Sequence, residues 1–326
     1  MITMHKLVFS LCLLFSVLFI PTGCRSHLRK ISAEPVRVLR YDLALMQADT
    51  AELKTEMQRL SSEFPLYLEG ADWENPLNLL RIRNFIEDPL VKEISGRIAV
   101  QYADSAALNH RIATLFERTR TIFPDFENPT VYTYISYLDF MNRILYMDSV
   151  LSLALDLYVD GNEKQMDEIG IPRYISRKLN AAYLESDLTR VLVSALLPKT
   201  EKASLLDHIV FEGKVLYFMT QILPKTDLQV LLGYDEAQML WCKTHEKEAW
   251  QYIVQQNLLF ETHPLKFRYF VEEGPFNPLL DGAPARLSQY IGLRMVQAFI
   301  KKTNNNRQQL LQASPREVLR ISAYKP

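Results

Sequence analysis

Leu205-Leu206-Asp207-His208-Ile209-Val210-Phe211-Glu212-Gly213-Lys214-Val215-Leu216-Tyr217-Phe218 is the stretch that decides how this chain folds. Continued to Leu223, it sets Leu205, Ile209, Leu216, Met219 and Leu223 at the spacing of one buried helical face, with Pro224 as a stop. The expectation is a helix over residues 203–223. Glu212 occupies the slot between Ile209 and Leu216, so a carboxylate sits at the centre of the apolar face. An unpaired buried carboxylate is costly, so Glu212 needs a partner. The options are His208 one turn earlier, an arginine, a backbone donor or a metal ion. Gly213 comes next, and a mid-helix glycine costs about 1 kcal/mol relative to alanine unless close packing requires it.

Outward from this helix, residues 185–197 form another, stopped by Pro198, with further helices expected over 235–256 and 288–301. Ser314-Pro315-Arg316-Glu317 is a capping box with proline at the first helical position, and it opens a last short helix. In the first half, helices are expected over 51–60, 76–102 and 105–123. Strand signals lie between the two halves. Val131, Thr133 and Ile135 alternate with Tyr132 and Tyr134. Leu151, Leu153, Leu155 and Leu157 alternate with Ser152, Ala154 and Asp156 up to the turn at Asp160-Gly161, with 143–147 as partner strand and 36–45 holding a first strand. The fold class expected is α+β, predominantly helical with a small, mainly antiparallel sheet, as one domain over residues 39–326.

Composition narrows the function by exclusion. Only 10 of 326 residues are glycine, against the roughly 23 that average usage would give, and no glycine-rich phosphate loop is present. A net charge of −1 argues against nucleic acid as a partner. No Ser-His-Asp order, nucleophile elbow or paired-carboxylate spacing stands out, so no catalytic residue, cofactor or metal is assigned.

The first residues concern location. Leu7 to Ile20 is almost wholly apolar, the length of a signal-peptide core and short of the roughly 20 residues needed to span a bilayer. Pro21-Thr22-Gly23-Cys24 follows, and the whole resembles a bacterial lipoprotein signal. That resemblance implies a signal peptide over 1–23, a diacylated Cys24 as the new N-terminus and a tether over 24–38; the plainer alternative is an ordinary secretory signal. Two acyl chains hold a protein stably on a membrane. Arg25 to Lys30 contains no acidic residue, and a periplasm-facing position on the inner or outer membrane is expected. Cys12 leaves with the signal, so Cys242 remains alone, without a disulfide partner.

The 205–218 segment also looks like the glutamate-bearing helix of gluzincin-type metallopeptidases, in which a Glu before a small residue is the third zinc ligand. The other two ligands there are the histidines of H-E-x-x-H on a preceding helix. Here that helix reads Glu185-Ser186-Asp187-Leu188-Thr189-Arg190-Val191-Leu192 and contains no histidine. A longer ordered pattern is more specific. It comprises Asp156-Leu157-Tyr158, Glu212-Gly213-Lys214 with Tyr217-Phe218, Gly233-Tyr234, Gln238 with Trp241-Cys242, and Glu246 with Trp250. Pro275-Phe276, Pro284 with Arg286, and Tyr290-Ile291-Gly292 complete it. Together these resemble the gliding-motility lipoprotein GldB family of Bacteroidota over residues 36–320. The resemblance implies a degenerate zincin-like fold without H-E-x-x-H and an envelope lipoprotein partnered with gliding or secretion machinery.

The expectation is therefore a non-catalytic, membrane-anchored protein that binds an envelope partner through a degenerate groove. Its candidate residues are His208, Glu212, Gly213, Tyr217, Trp241, Trp250 and Arg286, with lipidation at Cys24. An active zinc peptidase with unusual ligands and a purely structural scaffold are the alternatives. Each candidate also has a plain structural reading. Glu212 pairs with His or Arg in the core, the tryptophans pack on two sides of a helix, Cys242 is a buried inert thiol, and Arg286 makes a core-rim ion pair.

Overall fold

Apolar residues at period two build four short strands in the computed structural model, which describes residues 36–198, 201 and 203–326. The expected signal peptide and Cys24 lie outside the described residues. The strands are β1 (Val38–Arg40), β2 (Thr130–Tyr134), β3 (Ile144–Met147) and β4 (Val150–Ala154), in the order β1-β2-β4-β3. β1 pairs parallel with β2 and β2 parallel with β4; β3 alone is antiparallel, to β4. The sheet is thus mixed, and the mainly antiparallel arrangement expected from sequence is corrected. Alternation marks a strand but carries no information on its neighbour or direction. Between β1 and β2 the chain passes through helices as far as Ile122, a connection long enough to return parallel. β3 and β4 form a tight hairpin in which Asp148 and Ser149 both take positive φ, the geometry a two-residue hairpin requires.

The period of two separates two cores. Val131, Leu151 and Leu153 face the main core, while Tyr132 and Val150 face a smaller one. Helices Leu53–Glu63, Pro65–Leu68 and Pro76–Glu87 cover the smaller core with Met57, Leu60, Phe64, Leu68 and Ile86. Tyr67 stacks on Tyr41 with ring centroids 4.6 Å apart and shares a hydrogen bond with the Ser152 hydroxyl on β4.

On the main side, the helix Leu205–Ile222 runs through the core beneath a Ser204–Asp207 capping box. It crosses the helix Leu287–Lys302 at Gly213 and Gly292. A Cβ on Gly213 would lie 2.8 Å from Gly292 Cα and closer still to its carbonyl, while one on Gly292 would meet Gly213 N at 2.8 Å. Close packing therefore accounts for the glycine inside the helix. Cys242 is buried, and burial pushes its thiol up to about 12, consistent with an inert core residue.

Several boundaries differ from the sequence expectation, each for a local reason. The first strand stops at Arg40 and a helix occupies Tyr41–Met46. The 76–102 segment is two helices, Pro76–Glu87 and Pro89–Gln101, because Pro89 lacks an N–H and Asp88 caps the second by accepting from the amides of Leu90 and Val91. The 235–256 segment is also two helices, Glu236–Thr244 and Glu246–Gln255, parted at His245. β4 ends at Ala154 and tightens into a 3₁₀ turn over Leu155–Tyr158. The capping box at Ser314 and the helix Pro315–Ser322 are as expected.

Candidate functional site

Two arginines converge on the carbonyl end of the short helix Leu228–Leu232. Arg190, from the helix Leu184–Leu196, donates from Nη1 to Glu212 Oε2 at 3.0 Å. Its Nη2 donates to the carbonyl of Leu231 at 3.0 Å and reaches Gln289 Oε1 at 3.4 Å. Arg286 donates from Nη2 to the next carbonyl, that of Leu232, at 2.9 Å. Cations at a helix C-terminus offset its partial negative charge, so both guanidinium groups anchor this helix electrostatically.

A second set of charges extends from Arg286. Its Nη1 lies 3.4 Å from Glu273 Oε2, and Lys178 Nζ lies 2.9 Å from the same oxygen. Gly233, with φ of +67°, ends the Leu228–Leu232 helix; a Cβ there would meet Lys178 Cδ at 2.8 Å and Arg286 Nη2 at 3.2 Å. Arg286 itself has φ of +56°, a strained conformation for a residue with a side chain, and its guanidinium contacts hold it. Tyr234 donates its hydroxyl to the Ala285 carbonyl at 2.8 Å and secures the same loop.

Nearby, Asp187 receives a hydrogen bond from the Tyr158 hydroxyl at 3.0 Å and pairs with Arg143 at 3.1 Å. Asp156 is fully buried and accepts from the Ser136 amide, the Ser136 hydroxyl and the Leu138 amide. It thereby ties down a loop in which Tyr137 and Leu138 both have positive φ. Burial raises the Asp156 pKa against these donors.

Burial also shapes the cations. It lowers the pKa of Arg190 against the opposing charge of Glu212. Lys178 is pushed down to about 8 by burial, with the Arg286 charge adding to the effect and Glu273 opposing it. Lys214 is pushed down to about 8 by burial and donates to the carbonyls of Ala313 at 2.8 Å and Leu311 at 3.4 Å.

The expected candidates separate into distinct roles. Glu212 has its partner in Arg190. His208 lays its ring against Phe267, centroids 5.5 Å apart. Gly213 is consumed in the helix crossing, and Tyr217 is buried edge-on to Phe218, so neither lines an open groove. Trp241 stacks on His245 and donates to the Asp281 carbonyl at 2.8 Å, whereas Trp250 meets Tyr324 edge-on. The two tryptophans are on separate helices rather than on two faces of one, and they pack apart. Arg286 makes the core-rim ion pair, to Glu273. Sequence reasoning missed Lys178, Glu273 and Asp187, which carry no periodic signal. Arg190 lies on the helix that the metallopeptidase resemblance makes the histidine-bearing one, and a cation there was the available clue.

Chemically, Glu212, Glu273 and Asp187 are engaged by cations, Asp187 also by the Tyr158 hydroxyl, and Asp156 by the Ser136 and Leu138 donors. The residues do not fit a zinc ion. Glu212 faces a guanidinium, which cannot ligate, and among the described residues no three His, Cys, Asp or Glu side chains gather as a metal would require.

A family model described as gliding motility protein GldB matches residues 25–326. The chain belongs to this family. Neither the curated proteins nor the solved structures offer a match. In this GldB-family protein several residues of the ordered pattern fall in two networks. Glu212, Gly233, Tyr234 and Arg286 build the one described above. Glu246 centres the other, accepting from the Arg294 Nε at 3.1 Å, the Tyr290 hydroxyl at 3.3 Å and the Tyr324 hydroxyl at 2.8 Å. No helix among the described residues is long and apolar enough to cross a membrane.

Proposed function

We propose that this GldB-family protein is a lipid-anchored component of the cell envelope that serves gliding motility by binding a partner, not by catalysis. The observation that carries the reading is the engagement of Glu212. The carboxylate that the metallopeptidase resemblance makes a zinc ligand is bound by Arg190, which is itself fastened to Leu231 and Gln289. A zincin ancestry in which a side-chain cation replaced the metal is part of the same proposal. The anchor rests on the apolar leader and Cys24, just ahead of the family match at residue 25.

The test is zinc analysis and peptide hydrolysis by the purified full-length protein in detergent, with fractionation of cells carrying Cys24→Ser. The expected outcome is sub-stoichiometric zinc, no hydrolysis and release of the Cys24→Ser protein from membranes. Stoichiometric zinc and hydrolysis, both lost in Glu212→Ala, would overturn the non-catalytic reading.

A further inference from the structure

A wide cleft among the described residues lies away from the Arg190–Glu212 network. It has a volume of about 710 Å³ and is bounded by the ends of the helices Glu236–Thr244, Leu287–Lys302 and Pro315–Ser322 and the start of Glu246–Gln255. Lys243, Lys247, Lys301, Lys302 and Lys325 line it, with Arg294. All five lysines are exposed, and none pairs with a carboxylate among the described residues. The one acidic side chain in the lining, Glu246, is 13% exposed and is occupied by Arg294 and by the hydroxyls of Tyr290 and Tyr324.

Part of this charge answers the helix ends. Three carbonyl ends and one amide end leave about one net negative charge, at roughly half a charge per terminus. Five lysines exceed that several-fold, in a chain whose net charge is −1. The excess is therefore concentrated in the cleft.

We propose that this cleft binds an acidic peptide segment of a partner protein. Flexible ammonium groups around a concave floor suit carboxylates carried on a chain that enters the cleft. A membrane surface suits it less, because the lining carries no exposed large apolar side chain to insert and the cations surround a hollow rather than a protrusion. This inference names the partner chemistry for the binding role proposed above and rests on that role.

The experiment is fluorescence anisotropy of a labelled Asp/Glu-rich peptide titrated with the full-length protein in neutral detergent, with a Ser/Gln peptide of equal length as control. Wild type is expected to bind the acidic peptide only, more weakly as salt rises. Lys301→Glu/Lys302→Glu and, separately, Lys243→Glu/Lys247→Glu are each expected to weaken binding by about tenfold or more. Lys92→Glu/Lys225→Glu, with the same charge change on exposed sites elsewhere, is expected to leave binding within about twofold. Equal weakening by all three variants, no binding at low salt, or cleft-dependent capture of phosphatidylglycerol vesicles in place of the peptide would overturn the proposal. These outcomes leave the non-catalytic reading intact, since that falls only on zinc-dependent hydrolysis.

Discussion

Gly213→Ala isolates the contact that brings the two central helices together. Alanine is the better helix former by about 1 kcal/mol, so propensity alone favours the substitution. The added Cβ, however, would lie 2.8 Å from Gly292 Cα and nearer to its carbonyl, some 0.6 Å or more inside the 3.4 Å at which ordinary contact begins. Both sides of the contact are backbone, so no side chain can swing away and the helices must part. Overpacking typically costs 1–3 kcal/mol, and a backbone clash belongs at or above the upper end. With the propensity gain deducted, the expected loss is about 2 kcal/mol, or roughly 4 °C in melting temperature for a domain of this size. Gly96→Ala is the control. Gly96 lies inside the helix Pro89–Gln101, and a Cβ added there would meet nothing within 4 Å, so alanine is expected to stabilise by about 0.5–1 kcal/mol. Urea denaturation of both variants measures the difference directly. A Gly213→Ala protein as stable as Gly96→Ala would refute the argument.

Two further perturbations address the buried charges. Arg190→Met strands Glu212, and because the pair is 21% and 23% exposed the expected loss is about 2 kcal/mol, below the 3–5 kcal/mol of a fully buried pair. Arg190→Met/Glu212→Gln is expected to recover most of it, as read by urea midpoints; no recovery would show that Arg190 acts through its packing instead. Lys214 titrates near 8 when folded and near 10.5 when free, so between these values the unfolded chain holds the extra proton and stability rises with pH, by at most about 1.4 kcal/mol per unit. Lys178 adds a similar rise; Cys242 above about pH 9, and buried tyrosines such as Tyr102 and Tyr290 above pH 10, all pushed up to about 12, oppose it. Lys214→Met is therefore expected to reduce the slope of stability between pH 8 and 9 by about half, and an unchanged slope would count against burial of its charge.

Sequence alone determined the elements that local chemistry governs. The Leu205–Ile222 helix followed from its apolar spacing, the last helix from Ser314 and Glu317, β4 from alternating leucines, and the burial of Cys242 from the usual place of a lone thiol. It also indicated that Glu212 required a partner and that Gly213 required close packing, because a buried charge and a mid-helix glycine are each costly where they stand. What it could not determine was which partner. Arg190 meets Glu212, Gly292 meets Gly213, and Lys178 joins Arg286 on Glu273 only because helices distant in sequence cross at those points. The mixed sheet and the basic cleft have the same origin. Strand order, strand direction and the meeting of helix ends are set by how apolar faces pack together, and period and spacing specify the faces without specifying what they meet.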